Sequence, residues 1–402
     1  MKRITMIAPA VGRFSEVWMY RQMTRMPGVS MRVVAETHEN PDLYPVAGFG
    51  MATCPPRQIR RARSSLGLSS VAKRIRRLRN FGLGGLDAHP PTAAFWRREI
   101  RDHRPDAVLI QYGTLAVHYA PMLRRRGIPY VIHGHGYDLS RMVRRPKYAD
   151  ALDDAVAGAA AVVVVAQYMR RYLVERGTPV EKIHLIPCGI PWTELAGHRP
   201  LPSQSDQGCD FLMVGRLTDK KAPGAAITAF ADCHAIHRRT TLTVVGDGER
   251  IDECRRLVAA RGVEGVVRFT GPLAFAEVRE RLRRSSVFIQ HSVTTTDGDR
   301  EGWPVSIAEA AAVGLPVVST RHAGIPEQIV EGRGGHLVDE GDVPGMARAM
   351  TSLAADPDRR LGMGRFNRNH IRRWDADGQI AKLADVLSAA ALSERHRSRR
   401  AA

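Results

Sequence analysis

The sequence predicts an α/β protein of two domains, each a doubly wound parallel sheet with helices on both faces. In both halves of the chain, short β-branched runs alternate with helical stretches of roughly 10–20 residues. This alternation is typical of parallel sheets, whose crossovers place a helix between consecutive strands. The length of 402 residues also exceeds what one ordinary core accommodates. Between the halves, residues 197–208 have the polar, Pro/Gly/Ser-rich composition of a linker.

Twelve strands are predicted from short apolar runs, six in each half of the chain. The first six are Ile4–Pro9, Met31–Glu36, Ala107–Tyr112, Tyr130–His133, Ala161–Ala166 and His184–Pro187. The second six are Phe211–Gly215, Leu242–Gly246, Val267–Gly271, Val287–Gln290, Pro316–Ser319 and His336–Val338. We therefore predict an N-terminal domain over residues 1–200 and a C-terminal domain over 201–370. A last helix, near 375–395, could pack on either domain.

The composition is that of a globular protein and argues against several other classes. Hydrophobic residues make up 44% and charged residues 25% of the chain. The longest apolar run, Ala155–Ala166, is about half the roughly 20 residues of a membrane span. The N-terminal apolar run is too short for a signal-peptide core. Five cysteines without C-x-x-C spacing suggest neither zinc nor disulfides, so we expect a cytoplasmic protein.

Positive charge is concentrated in the first half of the chain. Residues 1–200 carry a net charge of +16 and residues 201–402 carry +3. Nine Lys and Arg fall within 57–79, where no acidic residue occurs. This balance indicates an anionic partner, either nucleic acid, an acidic membrane surface or a phosphate-bearing substrate.

An apolar stripe runs through the basic segment 57–79. Val71, Ile75 and Leu78 recur at helical spacing, opposite the Lys and Arg side chains. This pattern suits a helix lying in a membrane interface. It suits equally a helix packed on its own domain with a solvated basic face, and the sequence leaves both interpretations open.

The start of a helix near Pro304 has the features of an anion site. Proline is favourable at the first helical position because its missing N–H would have no partner there. The amides of Val305 and Ser306 then point out of the helix start, where the helix dipole is positive. Gly302 lets the backbone approach a ligand closely. The sequence therefore predicts that a diphosphate binds here.

Two glutamates, Glu301 and Glu309, flank this helix start. Glu301 precedes the helix, where it can face a sugar. Glu309 lies about 7 Å inside along the axis, where its carboxylate can accept hydrogen bonds from a vicinal diol such as a ribose. Taken alone, Glu301 could be an ordinary dipole-stabilising acid and Glu309 a solvated helix-face residue.

Other polar residues follow neighbouring strands of the second half. Arg216 and Lys221 come after the first of these strands and are placed to hold phosphate oxygens. Gly246 follows the next strand in G-D-G, and Glu327 follows a later one in G-I-P-E. Parallel strands bring all of these segments to one sheet edge. Glu327 could contact a ligand or cap a helix.

These motifs, taken in order, resemble the family-4 retaining glycosyltransferases of the GT-B fold. G-R-x4-K, G-D-G, E-G-x-P-x4-E-A, G-L-P-V-V-S-T and G-I-P-E carry the likeness over roughly 210–345. Ile132–Asp138 resembles the H-G-x-D loop of that family. Phe14–Gln22 is similar to the S-E-T-F helix start of bacterial exopolysaccharide and lipopolysaccharide enzymes. The resemblance implies two Rossmann-like domains facing a central cleft, an acceptor-binding domain followed by a nucleotide-sugar-binding domain.

The resemblance also implies a role for each candidate residue. His135 and Glu301 match the catalytic positions, and Glu309 matches the ribose ligand. Donor binding falls to Arg216, Lys221, Gly246, Gly302, Val305, Ser306, Glu309 and Glu327. The acceptor or phosphate loop comprises Gly12, Ser15, Glu16 and Asp138. The sequence departs from the family pattern at two alanines, Ala222, where glycine is commoner in the family, and Ala323, which precedes G-I-P-E. The loop around Gly12 also lacks the double glycine that is common in the family.

The implied reaction is retaining transfer of a hexose from a nucleoside-diphosphate sugar to a glycan, either a lipid-linked polysaccharide or a lipopolysaccharide intermediate. Neither a metal nor a cofactor is expected, since Asp297-Gly298-Asp299 only mimics a metal-binding D-x-D. A peripheral position at the inner membrane face would suit an anionic membrane surface as a partner. Same-fold alternatives are a nucleotide-sugar epimerase and a glycogen-type synthase. A nucleic-acid-binding protein is the alternative of another class, but no nucleic-acid-binding module is recognisable.

Overall fold

A computed structural model of the chain describes residues 1–47, 49–53, 90–197 and 208–401. The basic segment 57–79 lies outside the described residues, and so does most of the predicted linker. The described part contains two parallel sheets covered by helices, which confirms the predicted fold class.

The first sheet has seven parallel strands in the order β3-β2-β1-β4-β5-β6-β7. Its strands are β1 Lys2–Val11, β2 Val29–His38, β3 Gly50–Thr53, β4 Ala107–Gln111, β5 Tyr130–Gly134, β6 Ala161–Val164 and β7 Ile183–Leu185. All six predicted strands are present, with bounds that differ by at most two residues. The additional strand, β3, lies at the sheet edge, where only one neighbour is needed and no apolar run marks it in the sequence.

The second sheet has six parallel strands in the order β10-β9-β8-β11-β12-β13. Its strands are β8 Cys209–Val214, β9 Thr240–Val245, β10 Val267–Gly271, β11 Val287–Ile289, β12 Val317–Thr320 and β13 Gly335–Val338. The six predicted strands are again found. The central strands β11 and β12 are buried along their whole length, as expected for strands covered on both faces, whereas the edge strand β10 is mostly part-exposed.

Helices cover both faces of the two sheets. In the described residues they are α1 Val17–Arg25, α2 Pro90–His103, α3 Gly113–Arg125, α4 Pro146–Gly158, α5 Gln167–Glu175, α6 Trp192–Ala196, α7 Pro223–Ile236, α8 Ile251–Ala260, α9 Phe275–Arg284, α10 Val305–Val313, α11 Ile325–Gln328, α12 Val343–Ala355, α13 Pro357–Ile371 and α14 Ala376–Ala401. Among these helices, none combines the length and the apolar character that crossing a membrane requires.

The last helix, α14, packs on the first domain. It contacts β1, β4, β5 and α1, and its Asp377 lies 3.5 Å from Arg25. Backbone hydrogen bonds between Ile190 and both Trp374 and Ala376 hold the entry to this helix. The chain therefore leaves the first domain near Gly197 and returns to it after the second domain is complete.

The order of strands reverses between β1 and β4 in the first sheet and between β8 and β11 in the second. Parallel α/β sheets bind ligands at the carboxyl ends of the strands beside such reversals. The loops that leave these ends meet across the domain boundary. A Cβ on Gly136 of the first domain would lie 3.0 Å from the Gly302 nitrogen of the second.

Candidate active site

The helix α10 begins with unused amide donors beside the cleft. Pro304 caps the helix in an extended conformation, with φ −65° and ψ 109°, and Val305 is the first helical residue. The prediction that proline occupies the first helical position was thus wrong by one residue. The amides of Val305 and Ser306 donate to none of the described carbonyls or side chains, as expected for a first helical turn. The Ser306 hydroxyl donates to Gln290 at 3.3 Å.

A buried ion pair lies beside this helix start. The Lys221 ammonium is 3.2 Å from Glu301 Oε1 and also donates to Gln290 Oε1 at 3.2 Å. Glu301 is 7% exposed, yet no hydrogen-bond donor of the described residues is aligned with its Oε1. The carboxylate is therefore held by charge while keeping an acceptor position for another partner.

Neighbouring charges decide whether Glu301 and Lys221 are ionised. Burial disfavours the ionised carboxylate, but the ammonium groups of Lys221 and Lys220 outweigh it and lower the pKa of Glu301 to about 2. Burial lowers the pKa of Lys221 from its usual value, and Glu301 opposes that shift. The site thus presents a carboxylate at neutral pH.

Three residues outside the predicted set position Glu301. His322 is buried and accepts the Glu301 amide proton at its Nε2, at 3.0 Å. Its other ring nitrogen lies 2.6 Å from Glu340 Oε1, which fixes the tautomer. Tyr168 of the first domain donates its hydroxyl to the Glu301 carbonyl at 2.9 Å. In the sequence, the position of His322 just before the G-I-P-E motif was the one feature that could have pointed to its role.

Glu309 lies inside α10 with an unpartnered carboxylate. Its side chain is 8% exposed, which excludes the solvated helix face. No described donor makes a hydrogen bond to it. Burial raises its pKa to about 7, with Arg21 opposing the shift and Glu194 adding to it.

Glu309→Gln should remove part of the pH dependence of stability. Between pH 4.5 and 7 the folded state keeps a proton that the unfolded chain loses, so the free energy of unfolding falls as pH rises. The fall attributable to Glu309 is about 3 kcal/mol. Urea unfolding at pH 5 and pH 8 measures this fall as the difference between wild type and variant. Glu280→Gln, at a half-exposed carboxylate, is the control. Equal pH dependence in wild type and Glu309→Gln would contradict the assignment.

The loops after β8 and β9 are in close contact. A Cβ on Gly246 would lie 2.1 Å from the Gly215 carbonyl oxygen, and one on Gly215 would lie 2.9 Å from the Lys221 side chain. The backbone there leaves no room for larger residues, and this crossing brings Lys221 to the cleft. Arg216 has an exposed side chain nearby, whereas Lys220 pairs with Asp299 at 3.4 Å.

The two alanines at 222 and 323 both have left-handed backbones. Their φ values are +34° and +48°. A residue with a Cβ pays roughly 1–2 kcal/mol in this region, whereas glycine does not. The small side chain of alanine is therefore not equivalent to glycine at these positions, although both loops keep their course.

The loop from His133 to Asp138 forms the opposite wall of the cleft. Asp138 is fully buried and accepts backbone amide protons from Gly113, His135 and Gly136 at 2.7, 3.0 and 3.0 Å. These bonds engage both of its carboxylate oxygens. In this structure Asp138 organises the loop from inside.

The ring of His135 is held by the first domain. Its Nε2 is 2.8 Å from Gln111 Oε1, and Gln111 donates its own amide to Gln22 at 2.8 Å. Because the Gln111 amide nitrogen donates to Gln22, the Gln111 oxygen accepts from His135, which places the His135 proton on Nε2. Burial, with His133 nearby, lowers the pKa of His135 well below its usual value, so the ring is neutral. The Trp18 ring packs on the His135 ring, with 4.3 Å between the two ring centres.

The His135 backbone is the part that touches the second domain. A Cβ on Gly302 would lie 2.0 Å from the His135 carbonyl oxygen. Gly302→Ala should therefore push the two walls of the cleft apart and reduce turnover by about 10²-fold, the scale of a 1 Å misplacement. Donor consumption measures this effect. Gly265→Ala, which meets nothing within 4 Å, is the matched control. Full turnover of Gly302→Ala would mean that this contact is not needed.

The predicted acceptor loop follows β1. Glu16 accepts the Tyr112 hydroxyl proton at 2.7 Å through Oε1, while its Oε2 is buried without a hydrogen bond. Tyr112 has a φ of +69°, a strain that is often stored at functional sites. Ser15, the residue before Glu16, is exposed. Gly12 has a φ of +85°, and its backbone packs against the end of β2.

Glu327 bridges the domains. Its Oε1 accepts the amide proton of Gln167 at 2.8 Å, at the start of α5 in the first domain. Nearby, the Arg300 amide donates to the Ser140 hydroxyl at 3.2 Å. The sequence left open whether Glu327 contacts a ligand or caps a helix. In the structure it caps a helix, α5, which belongs to the other domain.

Asp297 and Asp299 are both paired with cations. Asp297 is 2.6 Å from Arg141, and Asp299 is 3.4 Å from Lys220. Across the part of the chain that the structure describes, no cluster of three His, Cys, Asp or Glu side chains could hold a metal ion.

Comparison with known proteins identifies the family. Residues 21–192 match the model described as Glycosyltransferase Family 4, and residues 203–370 match Glycosyl transferases group 1. The amylovoran biosynthesis glycosyltransferase of Erwinia amylovora is 31% identical over 55% of this chain and 54% of its own, so only about half of that relative is matched.

Two further proteins extend the comparison over more of the chain. A GDP-mannose-dependent α-(1-6)-phosphatidylinositol monomannoside mannosyltransferase of Mycolicibacterium smegmatis is 27% identical, over 74% of this chain and 80% of its own. The crystal structure of HepE from Anabaena, in complex with UDP and glucose, superposes with a TM-score of 0.73. That superposition covers 97% of this chain and all of HepE at 18% identity, and it shows the GT-B fold. With both of its domains matched, the chain belongs to the family-4 glycosyltransferases of the GT-B fold.

Proposed function

We propose that this protein transfers a sugar from a nucleoside-diphosphate sugar to a glycan acceptor, with retention of anomeric configuration and without a metal. The observation that carries the proposal is the arrangement of the cleft. The Lys221–Glu301 pair and the free amides of α10 lie on one wall, and the His135–Gly136 loop touches that wall from the other domain.

The donor diphosphate would bind at the start of α10. The amides of Val305 and Ser306 point toward it, and Lys221 supplies a cation whose side chain is only 12% exposed. Preorganised donors of this kind stabilise the charge that develops on a leaving diphosphate, and this stabilisation does not require a metal. The nucleotides named for HepE and the mycobacterial relative, UDP and GDP-mannose, support a donor of this class.

The transferred sugar would lie between Glu301 and the His135 loop. An ionised carboxylate stabilises the positive character that the sugar acquires as its bond to the diphosphate breaks. Glu301 already pairs with Lys221, so it acts as an electrostatic group and not as a nucleophile. The acceptor hydroxyl would then attack on the face that the diphosphate leaves, which retains the configuration.

The acceptor would enter along the first domain. The buried Glu16 Oε2 offers an unused hydrogen-bond acceptor at the carboxyl ends of β1 and β4. The surplus of positive charge in residues 1–200 suits an anionic, lipid-linked glycan. The name of the Erwinia relative, an amylovoran biosynthesis glycosyltransferase, supports a glycan acceptor.

The test is donor consumption across a panel of UDP- and GDP-sugars, with water as the acceptor and long incubations. We expect one donor, or a few, to release nucleoside diphosphate, and the sugar freed first to keep its anomeric configuration by NMR. The rate should be unchanged by EDTA. Release of an inverted sugar would contradict retention, and an EDTA-sensitive rate restored by Mg²⁺ or Mn²⁺ would contradict metal independence. Failure of every donor would contradict the function itself.

A further inference from the structure

The D-G-D motif forms a tight turn just before Glu301. In residues 295–299, here called the D-G-D turn, the Thr295 amide donates to the Asp299 carbonyl at 3.1 Å. The Gly298 amide donates to the Thr295 carbonyl at 2.8 Å. These bonds make the turn a compact unit, and it ends only two residues before Glu301. A displacement of the turn therefore moves the carboxylate that the proposed reaction uses.

Two arginines of the first domain hold this turn, and both follow the histidine loop that lines the cleft. The Arg144 guanidinium donates to the Thr296 carbonyl at 3.0 Å, and Arg141 Nε lies 2.6 Å from Asp297 Oδ2. Gly298 has a φ of +85°, and a Cβ there would overlap the Arg144 guanidinium. The glycine therefore provides both the left-handed turn and the close approach of Arg144.

The second domain holds the same segment from the other side. Asp299 is 3.4 Å from Lys220, and Glu301 is 3.2 Å from Lys221. Acidic residues two positions apart thus pair with consecutive lysines. The two aspartates of the motif face different domains, because Asp297 contacts the first domain and Asp299 contacts the second.

The main chain between the turn and Glu301 also depends on the first domain. The Arg300 amide donates to the buried Ser140 hydroxyl at 3.2 Å, and the Glu301 carbonyl accepts from Tyr168 at 2.9 Å. Both domains therefore support this segment, although its chain belongs to the second domain. If the domains separate, the segment loses its first-domain contacts from Thr296 to Glu301.

We propose that the D-G-D turn is a docking element for the first domain, and that Arg141 and Arg144 position Glu301 by holding it. The inference rests on the proposed function, since it requires Glu301 to act on the transferred sugar. Lys221 and the amides of α10, which would bind the diphosphate, belong to the second domain. Loss of the docking contact should therefore slow turnover without weakening nucleotide binding.

The experiment reverses one ion pair of this contact. Arg141→Glu and Asp297→Arg are made singly and together, at side chains that are 39% and 46% exposed. We expect each single variant to lower kcat by about five- to tenfold, because repulsion replaces an exposed ion pair at the domain contact. The donor KM and the calorimetric affinity for UDP or GDP should match wild type. The double variant restores an opposite-charge pair and should recover most of the lost kcat.

Hydrogen exchange supplies a readout that does not need turnover. The peptide that covers residues 296–302 should exchange its amides faster in each single variant, and at close to the wild-type rate in the double variant. The control is Arg124→Glu, which reverses an ion pair of similar exposure within the first domain, between Arg124 and Asp154. It should leave kcat and the exchange of residues 296–302 unchanged.

The outcomes are distinguishable. Wild-type kcat and wild-type exchange in both single variants would overturn the proposal. A loss of kcat that the double variant does not recover, or that comes with an equal loss of nucleotide affinity, would overturn it as well, since the defect would then lie outside the docking contact. If wild type consumes no donor, the proposed function fails, whereas the exchange rates still decide whether the first domain holds the turn.

Discussion

Replacing Glu301 by glutamine is expected to lower kcat by about 10²-fold while changing the donor KM little. The charge that the substitution removes is the one nearest the proposed reacting sugar, and its interaction is strongest when positive character has built up there. Glutamine keeps the shape and an acceptor oxygen. The loss should therefore appear in the transition state and not in ground-state binding.

Steady-state kinetics with one identified donor measures the effect of Glu301→Gln. Glu280→Gln removes a half-exposed carboxylate that pairs with Arg284 on α9, and it should retain the wild-type kcat. His135→Ala should also lower kcat, because its loop meets the Glu301 loop across the cleft. Wild-type kcat in both Glu301→Gln and His135→Ala would show that the catalytic assignment is wrong.

Lys221→Ala should weaken nucleoside-diphosphate binding by roughly ten- to a hundredfold, the effect of losing one charge-assisted hydrogen bond. It should also strand Glu301 as a buried charge, which typically costs about 3–5 kcal/mol of stability at neutral pH. The pKa of Glu301, now about 2, should then rise because its largest stabilising charge is gone. Arg216→Ala should weaken binding without this loss of stability, since Arg216 is exposed.

The pair can be tested by a double-mutant cycle. Adding Glu301→Gln to Lys221→Ala should recover much of the lost stability while leaving diphosphate affinity low. Calorimetric titration with UDP and GDP measures affinity, and urea unfolding measures stability. If the double variant lost as much stability as the two single variants together, Lys221 and Glu301 would not be coupled. Unchanged diphosphate affinity in Lys221→Ala would remove Lys221 from the donor site.

The sequence was sufficient for the sheets and for the residues that follow their strands. Apolar runs with crossover-length spacing define parallel strands, and the carboxyl ends of such strands share an edge. For this reason Lys221, Glu301 and the start of α10 could be placed together before the structure was known. Edge strand β3 has no such run and was missed.

Side-chain partners were less accessible to prediction. Gln111 and His322 form their hydrogen bonds with residues far away along the chain, and nothing in the local sequence marks them. Asp138 and Glu327 have the residue types of ligand-binding groups, but in this structure their carboxylates are occupied by backbone amides of the first domain. Whether a carboxylate is free depends on which loops meet, and that is a property of the assembled domains.

The structure of a complex with UDP or GDP is the most direct test of the central claim. We predict the diphosphate at the start of α10, within hydrogen-bonding distance of the Val305 and Ser306 amides and of Lys221. The ribose should lie on Glu309, and the terminal phosphate should point toward Glu301 and the His135 loop. A nucleotide bound along the first sheet, or one that leaves Lys221 and Glu309 without contact, would contradict the account.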